Sequence, residues 1–331
     1  MHKKLFKFDT NTQNAKREEK RIILITRKTR LEELIAKLNT KSQVEFFLKT
    51  RNQDISDIEL EHNQYYSSLN EIKRKIPRGY KLQVLDREFL PNYIFTKHDL
   101  IIVLGQDGLV VNTAKYLDGQ PILAINPDPE RFDGILLPFL PSDFSKVIPL
   151  ALSDQLPYKE LTMAKVVTND QQVLYAFNDF FIGPQSHISA KYTIHYKQKS
   201  ERQISSGIIV STPAGTTGWL SSFFYATKGI LKDFFKNNSI RMKPLRLDWE
   251  EKRLLFVVRE PFRSKWSGVS IVGGSIDLDT SLIIESHMSE KGVIFSDGIE
   301  KDYIEFHSGC IAKVSIAEKT TKLFLNSSSS I

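Results

Sequence analysis

The sequence predicts an α/β domain followed by a β-rich, sandwich-like domain, and three observations carry that reading. Up to about residue 150, short and fully apolar runs alternate with helix-spaced segments, the pattern of parallel strands joined by crossover helices. Beyond it, ten short strand-like runs follow one another with a single helical stretch among them. The chain's 331 residues are enough for two medium domains, each with its own core.

Taken in order, residues 1–20 form a basic arm, and the first folded element is Arg21–Thr26, RIILIT, a β-branched apolar run. Leu31–Phe47 reads as one helix. Ile55, Ile58, Tyr65, Leu69, Ile72 and Ile76 follow a three-to-four spacing, so a second helix presents one apolar face and stops at Pro77-Arg78-Gly79. Tyr80–Leu85 is the next strand. Asp99–Leu104, DLIIVL, is apolar throughout after its first residue and runs straight into Gly105-Gln106-Asp107-Gly108. Leu109–Leu117 is helical, Pro121–Asn126 is another buried strand, and Asp143–Leu152 closes a Rossmann-like domain spanning 21–150. Ligands of such sheets bind at the carboxyl ends of the strands, where Gly105–Gly108 and Asn126–Asp128 fall.

The second domain, 151–325, contains Thr162–Val167, Gln172–Phe177, Lys191–Tyr196, Ile204–Ser211, Leu254–Arg259, Gly268–Val272, Ser281–His287, Val293–Phe295, Tyr303–Phe306 and Ile311–Ile316 as strands. Tyr192, Ile194 and Tyr196 alternate with polar neighbours, the two-residue period of a half-buried strand. Thr216–Phe235 is its one helix. Residues 326–331, serine-rich, are expected to be a flexible tail.

Composition narrows the function classes. Hydrophobic residues at 41% and charged residues at 26% are ordinary for a globular protein. A lone cysteine, Cys310, excludes an internal disulfide and thiolate-bound zinc or iron–sulfur clusters. No apolar run reaches the roughly 20 residues of a membrane span, and the opening residues lack a signal-peptide core, so the expectation is a cytoplasmic protein with no membrane partner. The net charge of +7 sits wholly in residues 1–30, where ten Lys/Arg face three acids. A charge confined to one arm, with no recognition motif beside it, speaks against a nucleic-acid partner.

Three segments carry chemistry. Glycines at the end of a buried strand, as in Leu104-Gly105-Gln106-Asp107-Gly108-Leu109, let backbone N–H groups approach phosphate where a helix begins. Asp107 beside such a loop suits proton abstraction from an attacking hydroxyl or a share in holding Mg²⁺, and a plain Asp-Gly turn fits the same residues. In Ser206–Trp219 a strand ends in a loop rich in hydroxyls and glycine, where Thr216 and Thr217 cap a helix and its N–H groups face phosphate or ribose oxygens; ordinary capping is the competing account. Asn178-Asp179, between Phe177 and Phe180, matches the hydroxyl and amino groups of a ribose or adenine, and equally a turn at a strand end.

These residues together resemble the NAD kinases. Gly105-Gln106-Asp107-Gly108-Leu109 looks like that family's G-G-D-G-T motif, Asn178-Asp179 its Asn-Glu pair, and Ile208–Trp219, IIVSTPAGTTGW, its L-I-V-S-T-P-T-G-S-T-A-Y block. Ala124–Pro129, Val258–Phe262 and Asp297-Gly298 are similar to further family segments, and the order agrees across about residues 20–320. The resemblance implies phosphoryl transfer from ATP or a similar donor, with Mg²⁺, to the 2′-hydroxyl of the adenosine ribose of NAD, at a cleft between the domains of a homodimer or homotetramer. It makes Asp107 the general base, and Gly105, Gly108, Asn126, Asn178, Asp179, Ser206, Thr212, Thr216, Thr217, Gly218 and Trp219 the nucleotide-binding set, with no metal held by protein ligands alone. Gln106 and Leu109 replace a glycine and a threonine beside the donor, Ser206 an aspartate, and Ala214 a hydroxyl residue. A hydrogen bond lost to a charged group costs about 1.5–3 kcal/mol, so a dinucleotide-binding sensor with a drifted donor loop is the alternative.

Overall fold

In the computed structural model residues 20–235 and 243–326 are described. All of the expected arm except Lys20, and residues 327–331 of the expected tail, lie outside them. Two compact units are present: the first takes in the chain up to Tyr158 and again from Lys322, and the second is Lys159–Thr321. Among the described residues no helix is long and apolar enough to cross a membrane.

In the first unit β1 (Arg21–Thr26), β2 (Lys81–Asp86), β3 (Asp99–Leu104) and β4 (Pro121–Ile125) form a parallel sheet in the order β2-β1-β3-β4. The inner strands β1 and β3 are covered on both faces, which is why each reads as an unbroken apolar run. Tyr65, Leu69 and Ile72 of α3 (Ser56–Lys75) and Phe144 and Ile148 of α5 (Phe144–Leu152) pack on Leu24, Ile102, Leu104 and Ile125. The single helix predicted over Leu31–Phe47 is two, α1 (Arg30–Leu38) and α2 (Lys41–Lys49). Asn39 at φ 68° turns the chain out of the first. Thr40 starts the second by accepting the Gln43 N–H at 3.2 Å. α4 (Asp107–Lys115) follows β3 after two residues.

The second unit is a sandwich. One sheet has six antiparallel strands in the order β12-β11-β10-β7-β14-β15: β7 (Asp179–Pro184), β10 (Ile208–Ser211), β11 (Leu254–Val258), β12 (Gly273–Ile276), β14 (Gly292–Ser296) and β15 (Ile299–Glu305). Facing it are β8 (Ala190–Tyr196), β9 (Lys199–Ser205), β13 (Leu282–Ser286) and β16 (Ile311–Phe324), with β5 (Tyr158–Thr168) paired to β16 and β6 (Val173–Ala176) to β5. Phe180, Ile182, Val210 and Phe256 from the first layer and Tyr192, Ile194, Ile284 and Val314 from the second share one core. Ile204–Ser211, expected as one strand, breaks at Gly207, whose φ of 106° only glycine adopts easily. The expected strand at Gly268–Val272 falls instead at β12. The predicted helix from Thr216 is a 3₁₀ turn, Ala214–Thr217, then α6 (Trp219–Phe235).

Candidate active site

The candidate residues divide between the units. In the first, β3 delivers Gly105 and Gln106 to the start of α4, so Asp107 is its opening residue, where the helix dipole favours negative charge. One carboxylate oxygen, Oδ1, accepts the Leu136 N–H at 2.7 Å. No described residue bonds the other. Gly108 is exposed and Asp107 half-buried. Leu109, expected to face the donor in place of a hydroxyl, is instead a core residue, 4% exposed. A Cβ on Gly105 would stand 2.8 Å from its Cδ2, so the glycine and the leucine fit each other.

Asn126 is buried and occupied by its own loop. Its Nδ2 donates to the Phe132 carbonyl at 2.9 Å and its Oδ1 accepts the Asp128 N–H at 3.0 Å. Gly134, at φ 64°, leaves room for that amide. It is a loop brace at the place where a nucleotide contact was expected.

Sequence reasoning passed over Arg27. The parallel register, with Ile25 opposite Val103, brings it beside Gly105, and its Cδ comes within 3.8 Å of that glycine's Cβ position. Arg27 pairs with Glu61 at 2.8 Å, both buried, and its backbone N–H donates to the Tyr65 hydroxyl. Burial pushes that phenol up to about 12. The signal was available: an arginine directly after an apolar strand at the ligand-binding end of a parallel sheet.

In the second unit, Asn178-Asp179 leads into β7, a strand not anticipated. Asp297, at φ 57°, turns its carboxylate on this corner: Oδ1 accepts the N–H groups of Asn178 (2.6 Å) and Asp179 (3.3 Å), and Oδ2 that of Phe177 (3.1 Å). These three backbone donors satisfy the Asp297 carboxylate. Asp179, 8% exposed, has its carboxyl raised to about 7, first by burial and then by the charge of Asp297. The Thr212 N–H donates to the Asn178 carbonyl at 2.8 Å and its hydroxyl to the Phe177 carbonyl. The same hydroxyl oxygen accepts the Gly215 N–H at 3.2 Å. A Cβ on Gly215 would lie 2.0 Å from the Asn178 carbonyl oxygen, so this position admits glycine alone.

Thr212 and Thr216 are therefore buried braces, Thr216 donating to the Pro213 carbonyl at 2.7 Å. Thr217 and Gly218 are exposed, and Asn178, Ser206 and Trp219 half-buried. The structure thus gathers Asn178, Asp179, Thr212, Thr216 and Asp297 around one corner. Ser206 stands apart from it, at the β9–β10 break.

No protein-family model matches the chain. It is similar to the NAD kinases of Burkholderia thailandensis (28% identity over 145 residues, 40% of this chain and 46% of that protein) and Legionella pneumophila (27% over 197 residues, 54% and 62%). The match to the Methanospirillum hungatei NAD kinase is 30% over 127 residues, 38% and 46% of the two chains. The chain spans about half the length of the first of these relatives. Among solved structures, yeast NADH kinase complexed with NADH superposes with a TM-score of 0.59 at 14% identity, covering 93% of this chain and 84% of that one. An NAD kinase from Archaeoglobus fulgidus in complex with ATP gives 0.51 at 14% identity, over 93% and 94%. In sequence the chain is similar to these NAD kinases, and it shares its fold with the two solved kinases.

Proposed function

We propose that the chain transfers a phosphoryl group from ATP or a similar donor to the 2′-hydroxyl of the adenosine ribose of NAD, giving NADP. The observation that carries this is Asp107: a carboxylate on the first turn of α4, tied through one oxygen to Leu136 and with its other oxygen left by the described residues for a proton. The hydroxyl oxygen bonds to the γ-phosphorus as the bond from that phosphorus to the β-phosphate oxygen breaks, the diphosphate leaves, and the hydroxyl proton passes to Asp107. The Gly105–Gly108 amides receive the donor phosphates. Asn178, Asp179, Thr217, Gly218 and Trp219 are the residues we assign to the dinucleotide, with Thr212, Thr216 and Asp297 fixing the backbone behind them.

Mg²⁺ would enter with the triphosphate, with the half-buried Asp107 carboxylate at the start of α4 beside it. The chemistry it would supply there is neutralisation of the phosphate charge. The same reading places the enzyme in the cytoplasm as a homodimer or homotetramer.

The test is NADP formation from NAD with Mg²⁺ and each of several donors. Asp107→Asn is expected to lower turnover by roughly 10²–10⁴ while NAD affinity changes little. Wild-type protein that makes no NADP from any donor sinks the assignment, and a variant as fast as wild type removes Asp107 from its role.

A further inference from the structure

The turn between β8 and β9 faces the segment that leads into β12, and a cavity of about 520 Å³ lies between them. Tyr196, Lys197 and Lys199 wall it on one side, Ser270, Ile271 and Gly273 on the other. Its volume lies within the roughly 300–1,000 Å³ of small-molecule pockets. Both walls are fixed. Glu201 accepts the N–H groups of Ser270 and Ile271 at 3.0 Å and a bond from Gln203 Nε2 at 2.6 Å, so its carboxylate is spent on holding that segment. Gly268 makes room for it, since a Cβ there would stand 2.0 Å from Oε1. Tyr196 ties the opposite wall to the sheet edge: its hydroxyl donates to the Ser275 carbonyl at 2.7 Å and accepts the Ser275 N–H at 3.1 Å.

The register of β12, an edge strand, decides which backbone groups are open. The Val258 N–H donates to the Val272 carbonyl at 2.9 Å, so the alternation of an antiparallel ladder turns the N–H groups of Gly273 and Ser275 away from β11. Tyr196 takes the one at Ser275, and the one at Gly273 is left at the cavity wall as a donor. Lys197 and Lys199 add two ammonium groups, neither paired with a carboxylate among the described residues, and no acid lines the cavity. Lys197 Nζ sits 5.3 Å from the centre of the Tyr196 ring, which gives the cation a seat. Lys197 also stands in a two-residue turn at φ 54°, where glycine or asparagine is at ease and lysine is not, so the turn itself does not call for this side chain. Backbone donor and two cations without a counterion together suit a multiply charged anion.

We propose that this cavity binds a small molecule carrying two phosphate groups, with Lys197 and Lys199 as its cationic partners and the Gly273 N–H as a directional donor. The proposal stands apart from the reaction above, since no residue of either candidate site lines the cavity. Calorimetry on the full chain tests it, titrating fructose 1,6-bisphosphate and pyrophosphate, with inorganic phosphate as control. At least one of the two is expected to bind tenfold or more tightly than inorganic phosphate. Lys197→Gln with Lys199→Gln, both at exposed positions, is expected to weaken it at least tenfold. Preference for the sugar bisphosphate identifies a carbon-bodied ligand, and preference for pyrophosphate an inorganic one. Lys197→Gly separates the ligand from the turn: it is expected to raise the melting temperature, because glycine accepts the left-handed backbone, and to weaken binding at the same time. The proposal is overturned if neither probe binds better than inorganic phosphate. Binding that the lysine substitutions leave unchanged overturns it too, and displacement by ATP would then assign that binding to the Gly105–Gly108 loop.

Discussion

Asp297 receives three backbone N–H groups, whereas Asp179 at the same corner is buried, and burial together with the charge of Asp297 raises its carboxyl to about 7. The folded state holds a proton on Asp179 that the unfolded chain gives up near pH 4. Between about pH 4 and 7 the native state therefore binds more protons, and stability falls as pH rises, by at most ~1.4 kcal/mol per pH unit from this group. Asp179→Asn should flatten that part of the stability profile and raise the melting temperature more at pH 8 than at pH 4. Equal shifts at both values would show that Asp179 titrates normally. Arg27 offers a sharper loss: Arg27→Ala removes the 2.8 Å partner of the buried Glu61 carboxyl and should cost about 3–5 kcal/mol in chemical denaturation. Neither effect was legible from residue type alone. An Asn-Asp pair announces a polar corner, but which acid is buried depends on Asp297, more than a hundred positions further along the chain.

At the level of elements, the β3-loop-α4 unit is held by the fit of Gly105 to Leu109. Leu109→Thr restores the family-like hydroxyl but empties a core position, so a loss of about 2–4 kcal/mol is expected, with no gain in donor affinity because the side chain points inward. A tighter apparent KM for ATP in that variant would contradict the inward placement. β1 and β3 were readable in the sequence because burial on both faces leaves an unbroken apolar run. β7 was not, since it begins with a buried aspartate and ends in Gly183-Pro184, both of which read as turn. The breaks at Asn39 and Gly207 were missed for a related reason: a single left-handed residue leaves the hydrophobic period on either side intact. That the Thr212 hydroxyl braces Phe177 and Gly215 was not legible, because a hydroxyl facing a carbonyl and one facing a phosphate are spelled alike.

For the whole molecule, the order of α/β first and β-rich second was plain from the change of period, whereas the return of the chain end to the first unit was not. α6 shows a further feature of that scale: Leu220 is its one buried residue, while Tyr225, Ile230, Phe234 and Phe235 are all more than half exposed. An apolar surface of this kind is what the proposed homodimer or homotetramer would cover. Mass photometry should find an oligomer, and Phe234→Ser with Ile230→Ser should shift it toward monomer; a wild-type monomer at micromolar concentration would refute the assembly. The last strand, β16, gives its final residues to the first unit, Lys322 beside Pro121 and Leu323 beside Ile122, with Phe324 in that unit's core. During synthesis, then, the flank of β4 stays an open template for other polypeptides until residues 322–324 have emerged, so the first unit is sealed only after the second has been made.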